Sequence, residues 1–235
     1  MMNKTTNKNW FQKNWKYILV IFLYLCYLSG VLLGIIDNLG IHIDKLPRNI
    51  RIPVYAATDF VYVLILIMLF RKEIIKGLKD LKNNFLGNAV LSLECWIAGC
   101  TIMTISSIII SIILKEDVSG NEKLVRENIK LAPIYMLYTC SIVAPVLEEM
   151  VFRRSIKGFI KNGYVFIILS GLLFGLLHVV GVYKAPQDLL YVIPYGSMGF
   201  AFAYLYNKTN NITLPIILYV MHNTILVLAQ IVGGR

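Results

Sequence analysis

Apolar residues gather in seven long runs, at about 16–36, 54–70, 89–114, 131–150, 164–182, 189–206 and 211–232, and most charged residues fall between them. A bilayer-spanning helix needs roughly 20 mainly apolar residues, and the runs are about that length. The pattern therefore predicts an all-α fold: a polytopic membrane helical bundle of about seven transmembrane helices. Lys4, Lys8, Lys13 and Lys16 precede the first run, as in the basic n-region of a signal peptide. A cleaved signal has a shorter apolar core and a small-residue cleavage site. Here the run is full length and more follow, so it is read as a retained span.

Composition sharpens this picture. Of 235 residues, 57% are hydrophobic and 15% charged, whereas soluble domains carry about a quarter charged residues. Positive loops tend to stay cytoplasmic. With seven spans and a cytoplasmic N-terminus, 14 of the 23 Lys+Arg fall on the cytoplasmic side and 9 on the other. The acids separate too: Asp37, Asp44, Glu116, Asp117, Glu122, Glu127 and Asp188 are outer, while Glu73 and Asp80 are inner. The net charge of +10 is then a property of the cytoplasmic face, suited to the anionic headgroups of a cell membrane. The bilayer is the implied partner. Nucleic acid is not, because the positive residues sit in short loops.

Cys26, Cys95, Cys100 and Cys140 all lie inside apolar runs without a C-x-x-C pair, so neither a disulfide framework nor a zinc ribbon is indicated. Glycosylation-type triplets at Asn3, Asn207 and Asn211 fall on the predicted cytoplasmic side and carry no weight. The chain reads as a single membrane domain. Residues 1–130 form a three-span region with charged loops, and 131–235 a four-helix segment. The loops Arg71–Asn88 and Lys115–Lys130 are expected to be short amphipathic or solvated connectors. Asp59 and Glu94 are isolated acids near predicted span ends, where snorkelling is tolerable.

The stretch APVLEEMVFRRS, residues 144–155, is different: it places two glutamates and two arginines against a long apolar run. An ordinary helix end with headgroup-facing arginines would explain it. However, SIKGFIKNG continues with apolar residues at helical intervals and ends in Asn162-Gly163, a plausible helix stop. If the helix runs to about Asn162, Glu149 lies 14 residues from Gly163, about 21 Å. On the following spans His178 lies 14 residues from Tyr164, about 21 Å, and His222 11 residues from Asn211, about 17 Å. Three helices would then bring ionisable groups to nearly one depth. Such groups inside a membrane are costly, usually face a bundle interior, and are functional candidates by default. Glu149 and Arg153 stand at i and i+4 and can pair on one face. Glu148 is rotated about 100° away, and an unpaired carboxylate suits a general base or acid.

Bland readings apply to the neighbours. Phe152 and Phe174 are packing residues. Gly171 and Gly175, spaced G-x-x-x-G, mark close helix contacts. Pro133, Pro145, Pro194 and Pro215 bend helices around a cavity, and Tyr183–Gln187 is an outer loop.

LEEMVFRRS, LLFGLLH and VMHNT resemble the CPBP intramembrane proteases, also called the CAAX protease and bacteriocin-processing or Abi family, over residues 130–232. Glu148, Glu149 and Arg153 match E-E-x-x-x-R, and Phe174 and His178 match F-x-x-x-H. His222 matches a third motif, a histidine followed four residues later by Asn or Asp, but position 226 is Leu. The resemblance implies an all-helical membrane protease with a sunken active site. Glu148 with His178 would activate a water, His222 would stabilise the oxyanion, and Glu149 with Arg153 would organise the site. It implies no metal as first choice. Zinc on Glu148, His178 and His222 is the alternative, since two histidines and a glutamate can make a three-ligand site.

Substrates would be prenylated CAAX proteins or membrane-associated peptides, the latter in bacteriocin maturation or self-immunity. Removing one oxyanion donor costs about a hundred- to thousandfold. Leu226 therefore calls for another donor, slow turnover or loss of catalysis. The alternatives are a catalytically inactive scaffold or immunity protein, and a proton-coupled carrier using Glu148, His178 and His222 as a relay. The carrier reading lacks the repeated halves common in such folds.

Overall fold

The computed structural model describes residues 4–233, with side-chain surroundings from Trp10 onward. Asn3 and the side chains of Lys4 and Lys8 lie outside the described residues. The helices are α1 (Lys4–Leu28), α2 (Val31–Asn38), α3 (Arg48–Asn83), α4 (Phe85–Leu114), α5 (Gly120–Leu131), α6 (Pro133–Phe159), α7 (Gly163–Val180), α8 (Val192–Thr209) and α9 (Thr213–Gly233). Six elements are long and apolar enough to span a membrane, seven if the bent pair α1–α2 is one span. The protein is a multi-pass, all-helical membrane protein.

The first apolar run is not one straight rod. The chain turns by 60° between α1 and α2, where Gly30 takes φ +64, a left-handed conformation natural to glycine. The expected connector Arg71–Asn88 is also mostly helix. After a kink at Phe70 (φ −113, ψ 17) α3 continues to Asn83. This extension is fastened to the start of α9, because Asn211 donates its amide to the Gly77 carbonyl and to Asp80, both at 2.9 Å. Two of the glycosylation-type asparagines are thus structural: Asn211 here, and Asn207 as acceptor of a Lys157 hydrogen bond.

The connector Lys115–Lys130 contains α5, whose N-cap Ser119 accepts from the Glu122 N–H at 3.1 Å, satisfying one orphan donor of the first turn.

Helices α6 and α8 are the inner helices; α4 is the outermost, with Ile97, Ile102, Ile105, Ile112 and Ile113 exposed along it. Such a face belongs to lipid, where an apolar surface costs nothing. The G-x-x-x-G pair behaves as its spacing predicts. A Cβ on Gly175 would meet the Val192 carbonyl and the Gly196 backbone of α8, and one on Gly171 the Phe200 ring. Small residues there let α7 and α8 touch backbone to backbone.

Helix α6 winds through two π-helical turns, Thr139–Val143 and Met150–Ser155. Proline explains the first. Ala144 N–H pairs with the Thr139 carbonyl five residues back, so the next N–H in that spacing would serve Cys140. Residue 145 is proline and has none. Asn223 of α9 donates to the Cys140 oxygen instead, at 2.7 Å. The second turn is supported by the hydroxyls of Ser155, donating to Met150 O at 2.9 Å, and of Ser170, donating to Phe152 O at 2.7 Å. A π-turn survives at membrane depth because side chains re-satisfy its backbone.

The helix ends at Phe159, with Ile160 extended, rather than at Asn162. Asn162 instead caps α7, its side-chain oxygen accepting from Tyr164 N and Val165 N. The count that placed Glu149 and His178 at equal depth thus started from a helix end three residues too late. The condition that α6 continue past Arg153 is met.

Gly175→Ala is expected to cost about 1–3 kcal/mol through overpacking, whereas Gly34→Ala, where a Cβ meets nothing within 4 Å, should leave stability unchanged. Melting temperatures of both variants in detergent check this, and equal values would refute the close α7–α8 contact.

Candidate active site

The four charges of residues 148–154 leave α6 in three directions, each with a different partner. Glu149 and Arg153 are both fully buried and meet at 3.0 Å. The contact is ionic rather than a hydrogen bond: the N–H directions miss the carboxylate, and the nitrogens have no aligned acceptor among the described residues. The guanidinium carbon instead lies 4.6 Å from the Phe174 ring centroid and 5.7 Å from that of Phe202. Desolvated cation–π contacts of this kind are worth about 2 kcal/mol. Arg154 turns outward and grips Glu73 of α3 through two N–H groups.

Glu148 faces a separate set of groups. It is 8% exposed, and Tyr219 of α9 donates to its Oε2 at 2.9 Å. His178 and Arg153 are its electrostatic neighbours, and Tyr24 and Tyr27 of α1 lie within Coulombic reach. Phe174 joins the groups: its ring is 4.7 Å from His178, 5.6 Å from Tyr219 and 5.7 Å from Phe152. Both phenylalanines are packing residues, as expected, and Phe174 is the one that spaces the charged groups.

The two histidines are held in opposite ways. His178 Nδ1 lies 2.9 Å from the Phe174 carbonyl. Only a protonated Nδ1 can bond to a carbonyl, so Nε2 carries the lone pair. The ring stacks on Tyr195 at 4.9 Å, and the Tyr195 hydroxyl is anchored by Ser119 at 2.6 Å and Asn121 at 3.3 Å. His222, 7% exposed, accepts at Nδ1 from the indole N–H of Trp96 at 3.3 Å. The proton is therefore on Nε2. One histidine offers a base at Nε2, the other a donor.

Glu148, Glu149, Arg153 and His178 thus come together around Phe174 and Tyr219. His222 lies three residues along α9 from Tyr219, with Trp96 and Cys100 of α4 as its partners. Among the described residues no group of three His, Cys, Asp or Glu is placed to hold a metal ion. Of the donor set Glu148, His178 and His222, Glu148 Oε2 accepts from Tyr219 and each histidine is bonded through Nδ1, while Nε2 of both histidines has no hydrogen-bond partner among the described residues.

Residues 130–225 match the family model described as type II CAAX prenyl endopeptidase Rce1-like. This segment is the part of the chain that resembles the CPBP proteases. It is similar to YdiL, a candidate membrane peptidase of Bacillus subtilis (strain 168), at 35% identity over 116 residues, 48% of this chain and 44% of the relative. Similarity to the membrane-embedded CAAX protease MroQ of Staphylococcus aureus (strain USA300) is 30% over 150 residues, 57% of each chain. UPF0177 protein YxdF of Lactococcus lactis subsp. lactis (strain IL1403) is 34% identical over 74 residues, 32% of this chain and 38% of the relative. The chain spans about half the length of the curated relatives it matches. No solved structure gives a significant match.

Sequence reasoning missed Tyr219, Trp96 and Tyr195. Tyr219 had a signal, since it precedes His222 by three residues and so shares its helix face. Trp96 and Tyr195 had none, because their partners are on other helices. Asp59 was read as a near-surface acid but is buried, accepting from Tyr135 at 2.9 Å. Glu94 is exposed on α4. Leu226, in place of the CPBP Asn or Asp, is 48% exposed, and Asn223, its neighbour in the motif, is committed to Cys140.

Arg153→Ala, which strands a buried carboxylate, should cost about 3–5 kcal/mol, and Arg153→Met with Glu149→Leu should recover most of that loss. Unfolding of the single and double variants in detergent measures the coupling. Additive losses would contradict a buried ion pair.

Proposed function

We propose that the protein is an intramembrane endopeptidase with its N-terminus on the cytoplasmic side of the cell membrane. It would cleave a membrane-associated peptide or prenylated protein by Glu- and His-activated water, with no metal required as first choice. The reading rests above all on Glu148, a buried carboxylate oriented by Tyr219 and neighboured by a histidine whose Nε2 is an acceptor. The match of residues 130–225 to the CAAX prenyl endopeptidase model and the names of the peptidase relatives support it.

In this mechanism a water lies between Glu148 and His178 Nε2. Glu148 takes its proton as the oxygen adds to the peptide carbonyl carbon. His222 donates its Nε2 proton as a hydrogen bond to the oxyanion. Glu148 then returns the proton to the amide nitrogen as the C–N bond breaks. Glu149 and Arg153 hold α6 so that Glu148 keeps its direction. Bacteriocin maturation and self-immunity are roles consistent with this chemistry.

A second reading, a catalytically inactive CPBP-like scaffold or immunity protein, is favoured by one observation. Leu226 is apolar and half exposed where the family places a polar partner.

Loss of the Glu148 base should lower cleavage at least a hundredfold, within the usual range for general acid–base catalysis. Newly formed peptide N-termini should be compared in membranes of cells carrying the native protein, Glu148→Gln at matched expression, or neither. Termini unique to the native protein are expected, and they identify the substrate. Identical native and Glu148→Gln profiles, together with a phenotype on deletion, would favour the scaffold.

A further inference from the structure

His222 is the only proposed active-site residue whose nearest polar neighbours come from α4, outside residues 130–225. Its Nδ1 is approached from one side only, by Trp96 Nε1 at 3.3 Å and Cys100 Sγ at 3.8 Å. The two rings are in T-shaped contact, with centroids 6.5 Å apart and planes at 75°, and the indole N–H is aligned on Nδ1 as a hydrogen bond. Trp96 and Cys100 stand at i and i+4 on α4 and therefore share one face. Nε2 has no protein partner among the described residues.

An indole N–H can only donate. A nitrogen accepting from it cannot carry a proton, so a neutral imidazole is confined to the Nε2–H form. Without that restraint a neutral histidine exchanges between tautomers, and its Nε2 would be a donor only part of the time. We propose that Trp96 is a positioning residue for His222, holding the ring so that Nε2–H is a permanent donor. Trp96 does not touch the reacting atoms. Leu226, without a polar group, offers the ring no such hydrogen bond. The proposal rests on the reading of His222 as the oxyanion donor.

The chain has three histidines, so protein labelled with ¹⁵N-histidine in detergent gives three resolvable imidazoles, and His222→Gln assigns the signal of interest. In the native protein at neutral pH, Nε2 of His222 should be protonated and Nδ1 should be a hydrogen-bonded acceptor. Trp96→Phe should shift both nitrogens towards the averaged values of a tautomer mixture. Once a substrate is known, Trp96→Phe should lower kcat about tenfold with KM little changed, less than the hundred- to thousandfold of losing a donor outright.

A native His222 protonated at Nδ1 or at both nitrogens overturns the proposal, and this measurement does not depend on a variant folding. Trp96→Phe spectra identical to the native ones, or an unchanged kcat, overturn it equally. Absence of Glu148-dependent cleavage would instead sink the protease reading, while the tautomer measurement would still decide the role of Trp96.

Discussion

The Glu149–Arg153 pair sets the terms for the rest of this structure. Burying two charges costs several kcal/mol per ion, and their attraction repays this only in good geometry. Here both groups are fully buried and come from one helix, so α6 cannot unwind between them without separating them. The arginine is also covered by Phe174 from α7 and Phe202 from α8. One guanidinium thereby fixes the spacing of three helices. Glu148, next in sequence but on another face of α6, is left pointing at α9 and Tyr219.

The two π-turns make that arrangement sterically accessible. A π-turn adds a residue within the helix and turns the following side chains relative to those before it. One such turn lies before the glutamates and the other contains Arg153. Each leaves carbonyls that need donors, and neighbouring helices supply one to each: Asn223 for the first, Ser170 for the second, which also has Ser155 of α6 itself. Backbone satisfaction and site assembly are therefore the same event. If α9 moves away, the Cys140 carbonyl loses its donor at the same time as Glu148 loses Tyr219.

What the sequence made legible follows from the range of its rules. The membrane spans were readable because length and hydropathy are properties of one segment. The Glu149–Arg153 pair was readable because i and i+4 contacts need one helix only. The break at Gly30 and the helical continuation beyond Phe70 were missed for the opposite reason. Gly30 lies within an unbroken apolar run, and Arg71–Asn83 looks like a solvated connector until Asn211, more than a hundred residues later, fastens it. Asp59 was misplaced in the same way, since its partner Tyr135 arrives on α6. Depth counting gave the right company for Glu148 with the wrong helix end, since Phe159 and not Asn162 closes α6.

The same limit explains why family resemblance and structure divide the site differently. The matched segment supplies both glutamates, Arg153 and both histidines, and by motif alone it would be the whole machine. Yet the wall behind His222 is Trp96 and Cys100 of α4, and Tyr24 and Tyr27 of α1 stand near Glu148. A motif records the groups that meet the substrate. It does not record which groups restrict their tautomers and orientations, and those can come from anywhere in the bundle. With Leu226 in the third motif, this chain offers no polar group at that position, and the N–H that reaches His222 comes from a helix the family match does not include. Fixing the tautomer of a histidine needs one hydrogen bond at its other ring nitrogen, and that requirement does not specify which helix must provide it.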